Sequence, residues 1–245
     1  MIVDVHSHLT FPEFKSDLDQ VIERAKKVGV VAIISSGTSI KSNQEVLALS
    51  RKYDIIKASF GAYPIEVNLK NIDEQLEFIK KHKDSIISVG ECGLDYKEAQ
   101  NKKEQQECFQ KVISLTEKIK KPIVIHSRKA EIDALDILQS SNLKKVVMHC
   151  FTGKMSLVKR GFDLGYFFTI PTVISKLYHF QEVVNRFPLT QLLTETDAPY
   201  LSPFSSGRNE PAFIVETIKK ISEIKKMDPQ EVEKNIFMNY QKIFL

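Results

Sequence analysis

No run of apolar residues in this chain approaches the roughly 20 that a membrane-spanning helix needs. No basic stretch leads into an apolar segment and a small-residue cleavage site at its start, so the cytoplasm is the expected compartment. Cysteine is scarce: Cys92, Cys108 and Cys150 are the three. An odd count with no Cys-x-x-Cys pair speaks against a disulfide framework and a zinc knuckle. Cys92 and Cys150 read as small apolar residues at strand ends. Charge of one sign is in little excess. The 35 Lys and Arg against 31 Asp and Glu leave a net charge of +4, and surface lysines on helices give the same balance without an anionic partner. No Gly-rich phosphate or dinucleotide fingerprint follows any apolar run, which weakens the case for a doubly wound dinucleotide fold. Low-complexity segments, linkers and composition shifts are missing too, so residues 1–245 read as one domain large enough for a sizeable core.

What is present is an alternation. Short β-rich apolar runs occur at Ile2–Val5, Val30–Ser35, Ile56–Phe60, Ile86–Val89, Ile123–Ile125, Lys145–Met148, Tyr166–Ile170 and Gln191–Leu193. Longer amphipathic stretches separate them, as in Leu18, Val21, Ile22, Ala25 and Val28, or Phe109, Val112, Ile113 and Leu115. Val- and Ile-rich runs without alternation suit parallel strands covered by helices. Eight of them, each followed by a helical stretch, predict a (β/α)8 barrel. Asp228-Pro229-Gln230-Glu231 reads as a helix start, with Asp as N-cap and Pro at the first position. It opens a closing helix whose apolar face should pack on the barrel.

In such a barrel chemistry sits at the C-terminal ends of the strands. His6 and His8 follow the first run, and their spacing puts both on one side of a strand. Glu91 and Asp95 follow the fourth, His126 and Arg128 the fifth, His149 the sixth, and Glu195 and Asp197 the eighth. His82 and His179 fall in helical stretches and read as packing or surface residues. Four imidazoles, one Glu and one Asp converging on one barrel mouth are costly to bury without a partner. A cation offsets that cost. Mixed imidazole and carboxylate donors suit Zn, Mn, Fe or Co better than Ca. Six ligands exceed what one tetrahedral zinc takes, and two metals bridged by a carboxylate would use them all.

The ordered set Asp4-x-His6-x-His8, Gly90-Glu91-x-Gly93-Leu94-Asp95-Tyr96, His126-x-Arg128, His149-x-Phe151-x-Gly153 and Glu195-Thr196-Asp197-x-Pro199-x-Leu201 resembles the TatD family of metal-dependent deoxyribonucleases. Arg208-Asn209-x-Pro211 extends the resemblance. It implies two divalent ions (Mg, Mn or Zn), with His6 and His8 on one, His126 and His149 on the other, and Glu91 as the bridge. Asp197 would bind the first metal and take a proton from the attacking water. Arg128 and Arg208 are the expected phosphate contacts, the alternative for Arg128 being a pair with a carboxylate such as Asp95 and for Arg208 the organisation of its loop. For Asn209 the choice lies between phosphate and loop organisation, and for Tyr96 between base stacking and packing. The implied activity is hydrolysis of DNA from a 3′ end, with RNA left open as a substrate. Two rivals stand beside it: a small-molecule amidohydrolase on the same metals, and a barrel that binds without catalysing. The chain departs from the family at Tyr63 and Ile65, where histidines are usual, and at Thr10, where an acidic residue is common.

Overall fold

The computed structural model describes residues 1–98 and 101–245. Strands β1 (Ile2–Ser7), β2 (Val30–Ser36), β3 (Ile56–Ala62), β4 (Ser88–Asp95), β5 (Ile123–Arg128), β6 (Val146–Met148), β7 (Phe167–Pro171) and β8 (Leu192–Glu195) form one sheet in sequence order. The pairs β1–β2, β3–β4, β4–β5, β5–β6 and β7–β8 are parallel. The last strand returns to the first: Thr194 Oγ1 donates to the Val3 carbonyl at 2.8 Å. The fold is therefore a (β/α)8 barrel, as the alternation of strand and helix predicts.

The connecting helices are α1 (Leu18–Lys27), α2 (Ile40–Lys52), α3 (Ile72–Lys81), α4 (Lys102–Ile119), α5 (Glu131–Gln139), α6 (Met155–Asp163), α7 (Tyr178–Arg186) and α8 (Ile214–Lys225). Each buries an apolar stripe, for example Val21, Ile22 and Ala25 in α1 and Val158 and Phe162 in α6. Most strands are buried along their whole length, which is why their sequences do not alternate. A closing helix α9 (Pro229–Phe244) starts where the capping residues indicate, the Asp228 side chain accepting from Gln230 N at 2.8 Å. It packs on β1 and β8. There the Asn239 amide donates to the Leu189 and Leu192 carbonyls.

Two compact units make up the chain. The first comprises Met1–Ser35, Ser50–Lys57 and Phe168–Leu245, and the second Ser36–Leu49 and Ala58–Phe167. The first contains β1, β8 and α9, the second β4, β5 and β6. Among the described residues no helix is long and apolar enough to cross a membrane.

Candidate metal centre

In the first unit His6 lies within β1 and His8 just beyond it. Both are buried. Their Nε2 atoms stand 3.2 Å apart, with the rings edge to face. The chain beyond β8 reaches back to them. Asp197 N donates to the His6 carbonyl at 2.9 Å, and Asp197 adopts a left-handed backbone, φ 55°. Such a conformation costs a non-glycine residue free energy and tends to occur at functional sites. Asp197 Oδ1 lies 3.7 Å from His6 Nε2 and 3.5 Å from His8 Nε2. Metal–nitrogen bonds of roughly 2.0–2.1 Å on a tetrahedral ion would separate ligand atoms by about 3.4 Å. His6, His8 and Asp197 therefore fit a first-row divalent ion without rearrangement.

Asp4 sits behind this trio, fully buried. Its carboxylate accepts from Thr196 N at 2.9 Å, Thr196 Oγ1 at 2.5 Å and His6 N at 3.3 Å. Burial pushes its pKa up to about 7 against the pull of these donors. Asp4 thus fixes the backbone of both segments that carry ligand candidates. Asn209 works on the same loop, its amide donating to Thr172 Oγ1 and the Thr196 carbonyl, both at 2.7 Å. It is fully buried, so it organises the loop.

In the second unit the elements are Glu91 in β4, His126 in β5, and His149 one residue past β6. His126 Nδ1 lies 2.7 Å from Glu91 Oε1 and its Nε2 lies 3.0 Å from Asp95 Oδ2, while His149 Nε2 is 3.8 Å from the same Glu91 oxygen. Burial alone would lower the His126 pKa, but the Asp95 and Glu91 carboxylates outweigh it and hold it above the usual value. Asp95 is fixed in turn. Its Oδ1 accepts from Lys97 N and Glu98 N, and burial, which would raise its pKa, is outweighed by His126 and these donors. Both His126 nitrogens thus meet carboxylates, Asp95 on Nε2 being the partner that would orient the ring toward a metal. Glu91, His126 and His149 are donor types that a divalent cation takes, although the 2.7 Å between His126 and Glu91 is a hydrogen-bond distance and not a spacing of two ligands on one ion.

Other candidates have prior partners. The Arg128 guanidinium is half exposed, 3.2 Å from Glu98 and 4.0 Å from Asp95. Arg208 donates to Asp17 and to the Glu13 carbonyl and lies over the Phe14 ring. The Tyr96 hydroxyl donates to Asp133 at 2.7 Å and accepts from Gln106 at 2.7 Å. Lys102 lies over the Tyr96 ring, so that residue packs. Tyr63 sets its ring edge-on to His126, centroids 5.0 Å apart, whereas Ile65 is exposed. His82 packs against Phe78 and Phe60. Sequence reasoning missed Thr196 as the partner of Asp4 and Asp95 as the partner of His126. Parity would have found the second, because Glu91 and Asp95, four apart on β4, share a face.

A parallel (β/α)8 barrel with imidazoles and carboxylates gathered at its strand ends defines the class of metal-dependent hydrolases. The chain belongs to the family of TatD-related DNases, whose profile matches residues 3–245. It is 33% identical to the deoxyribonuclease TATDN3 of Homo sapiens, over 99% of this chain and 94% of that one. It is 36% identical to a metal-dependent hydrolase of Methanocaldococcus jannaschii, over 99% and 96%. A TatD homologue of Escherichia coli superposes with a TM-score of 0.90 at 26% identity, covering 99% of this chain and 97% of that one. The protein is thus an enzyme, a TatD-family metal-dependent hydrolase.

Proposed function

We propose that the protein is a deoxyribonuclease that hydrolyses phosphodiester bonds from the 3′ end of DNA, with RNA as a further candidate substrate. The observation that carries this reading is the His6–His8–Asp197 cluster, whose ligand atoms converge, beside a second group in which Glu91 lies 2.7 Å from His126 and 3.8 Å from His149. In this proposal they would hold two divalent cations, Mg, Mn or Zn. Such ions, when bound, lower the pKa of water and neutralise charge on the phosphate oxygens.

The remaining roles fall to the chain. Asp197, with one oxygen turned to both histidines, takes the proton from the attacking water. Asp95 keeps the His126 ring oriented. Arg128 and Arg208 bind substrate phosphate. Each is now paired to a carboxylate, Glu98 or Asp17, and an incoming phosphate, a charge-assisted acceptor for the guanidinium fork, competes for it. The names of the human and archaeal relatives support hydrolysis, and the human one supports DNA.

The test combines metal analysis with nucleotide release from end-labelled DNA strands in Mn, for wild type and Glu91→Ala. Loss of metal and a fall in rate of about 100-fold or more are expected, the scale on which removing a preorganised charge slows a reaction. Unchanged release in Glu91→Ala, or wild-type turnover confined to amides and lactones, would overturn the reading.

A further inference from the structure

Two aromatic rings flank the first-unit cluster, and the reaction described above gives them no task. Each hangs on a short turn from a ligand candidate. Phe11 N donates to the His8 carbonyl at 3.2 Å, and Tyr200 N to the Asp197 carbonyl at 2.9 Å. Three residues beyond His8 and three beyond Asp197, the turns bring the rings together. Phe11 lies nearly parallel to the His8 imidazole, centroids 4.8 Å apart and planes 20° apart. Tyr200 meets Phe11 edge to face at 6.0 Å. The result is a continuous row, His8, Phe11, Tyr200, that starts at a buried ligand candidate and ends at a ring 52% exposed to solvent.

A core explains such a row poorly. An aromatic side chain buried for stability is covered, as Phe14, Phe60 and Phe151 are here. Tyr200 instead keeps half its surface in water, although its backbone is held by the turn from Asp197 and is followed by Leu201, also left-handed at φ 54°. Exposed rings held beside a charged centre suit a ligand that is flat and apolar on its faces and anionic at one edge. A nucleotide has this form, with its phosphate one sugar away from its base. A bare phosphate or a small ester would reach the cluster without meeting the rings.

We propose that Phe11 and Tyr200 form a stacking platform for the base of the nucleotide whose phosphate is at the metal centre. This rests on the phosphodiesterase reading and adds a subsite to it. Phe11 is the inner wall, fixed by its stack on His8, and Tyr200 the outer one. Stacking on an aromatic face tolerates every base, because each presents a π-face. The platform therefore favours a base over none and gives little choice among bases.

The test compares two short single strands, one ending in a 3′ base and one ending in a 3′ abasic sugar. Both carry a phosphorothioate at the terminal linkage to slow cleavage and a fluorophore at the 5′ end. Binding is read by anisotropy in Mn for wild type, Tyr200→Leu, Tyr200→Phe and Phe11→Leu, with metal content measured for each. Wild type should bind the base-terminated strand about ten-fold more tightly, in the range of one stacked base. That ratio should fall toward one in Tyr200→Leu and Phe11→Leu and persist in Tyr200→Phe, with metal content kept. A wild-type ratio of one, or a ratio that Tyr200→Leu leaves intact, overturns the platform. Cleavage of the unmodified strands separates the two ideas. Cleavage with a ratio of one sinks the platform alone, and a ratio near ten with no cleavage of either strand sinks the phosphodiesterase reading alone.

Discussion

At the residue scale, Asp95 shows how a side chain that touches no reacting atom can decide what a site does. Its Oδ2 holds His126 Nε2, and its Oδ1 is fixed by two backbone N–H groups. Asp95→Asn keeps an oxygen for those N–H groups but loses the charge that holds the His126 pKa up. Outer partners of metal-binding histidines typically contribute 10–100-fold in metal affinity or activity. Metal affinity of Asp95→Asn, measured by competition with a chelating dye, should therefore drop by about 10-fold or more, while thermal unfolding of the metal-free protein moves little. The residues at stake were visible in the sequence to different degrees. His6, His8, Glu91, His126, His149 and Asp197 were legible as candidates because each lies one to four residues past an apolar run, at the barrel end where βα loops converge. Thr196 on Asp4 was not, because the contact joins residues 192 apart. Nor was the engagement of Arg208 with Asp17, since a basic residue near a barrel mouth reads the same whether it binds phosphate or a neighbouring carboxylate.

At the scale of elements, the strands extend further than their apolar runs suggest. Apolar content stops at Val5, Phe60, Val89 and Ile125, yet β1, β3, β4 and β5 continue to Ser7, Ala62, Asp95 and Arg128. The added residues include histidine, glycine and acidic types with low intrinsic strand preference. Pairing with neighbours holds them extended, as Gly93 with His126 and Asp95 with Arg128. Helix α2 shows its apolar stripe less plainly, since one of its buried positions is Asn43. That residue acts as a substitute strand for Gly61 at the end of β3, its amide nitrogen donating to the Gly61 carbonyl and its oxygen accepting from Gly61 N, both at 2.9 Å. Gly61 needs this clamp because it runs close to β4. A Cβ on it would come within 2.6 Å of the Glu91 carbonyl and overlap Gly37. Asn43→Ala leaves the Gly61 N–H buried without its partner, at a cost of roughly 1–3 kcal/mol. For a chain of this size that corresponds to a fall in Tm of about 5 °C, measurable by calorimetry. The same variant should weaken metal binding, because Gly61 lies against the backbone that carries Glu91. A Tm within one degree of wild type would mean the clamp is idle.

At the scale of the molecule, the order of the barrel was legible because each βα unit repeats the same change of period. The division of contacts into two units was not, since each gathers segments far apart in sequence and no shift of composition marks them. Both units gather imidazoles and carboxylates of the kinds that take a divalent cation. His6, His8 and Asp197 lie at 3.2–3.7 Å in one, and Glu91, Asp95, His126 and His149 crowd together in the other. Cations that bind these groups in the native state, and not in the unfolded chain, stabilise the fold by mass action. At one hundred times the dissociation constant the gain is about 2.7 kcal/mol per site. For a protein of this length that amounts to a Tm rise of about 5–10 °C. Saturating Mn or Zn should raise the Tm of the metal-free protein by that amount, and a chelator should reverse it. His6→Ala/His8→Ala should lose part of the rise while keeping the part owed to Glu91, His126 and His149. A rise that survives intact in the double variant would place the cation elsewhere. The absence of any rise in wild type would mean that these buried groups balance one another without metal.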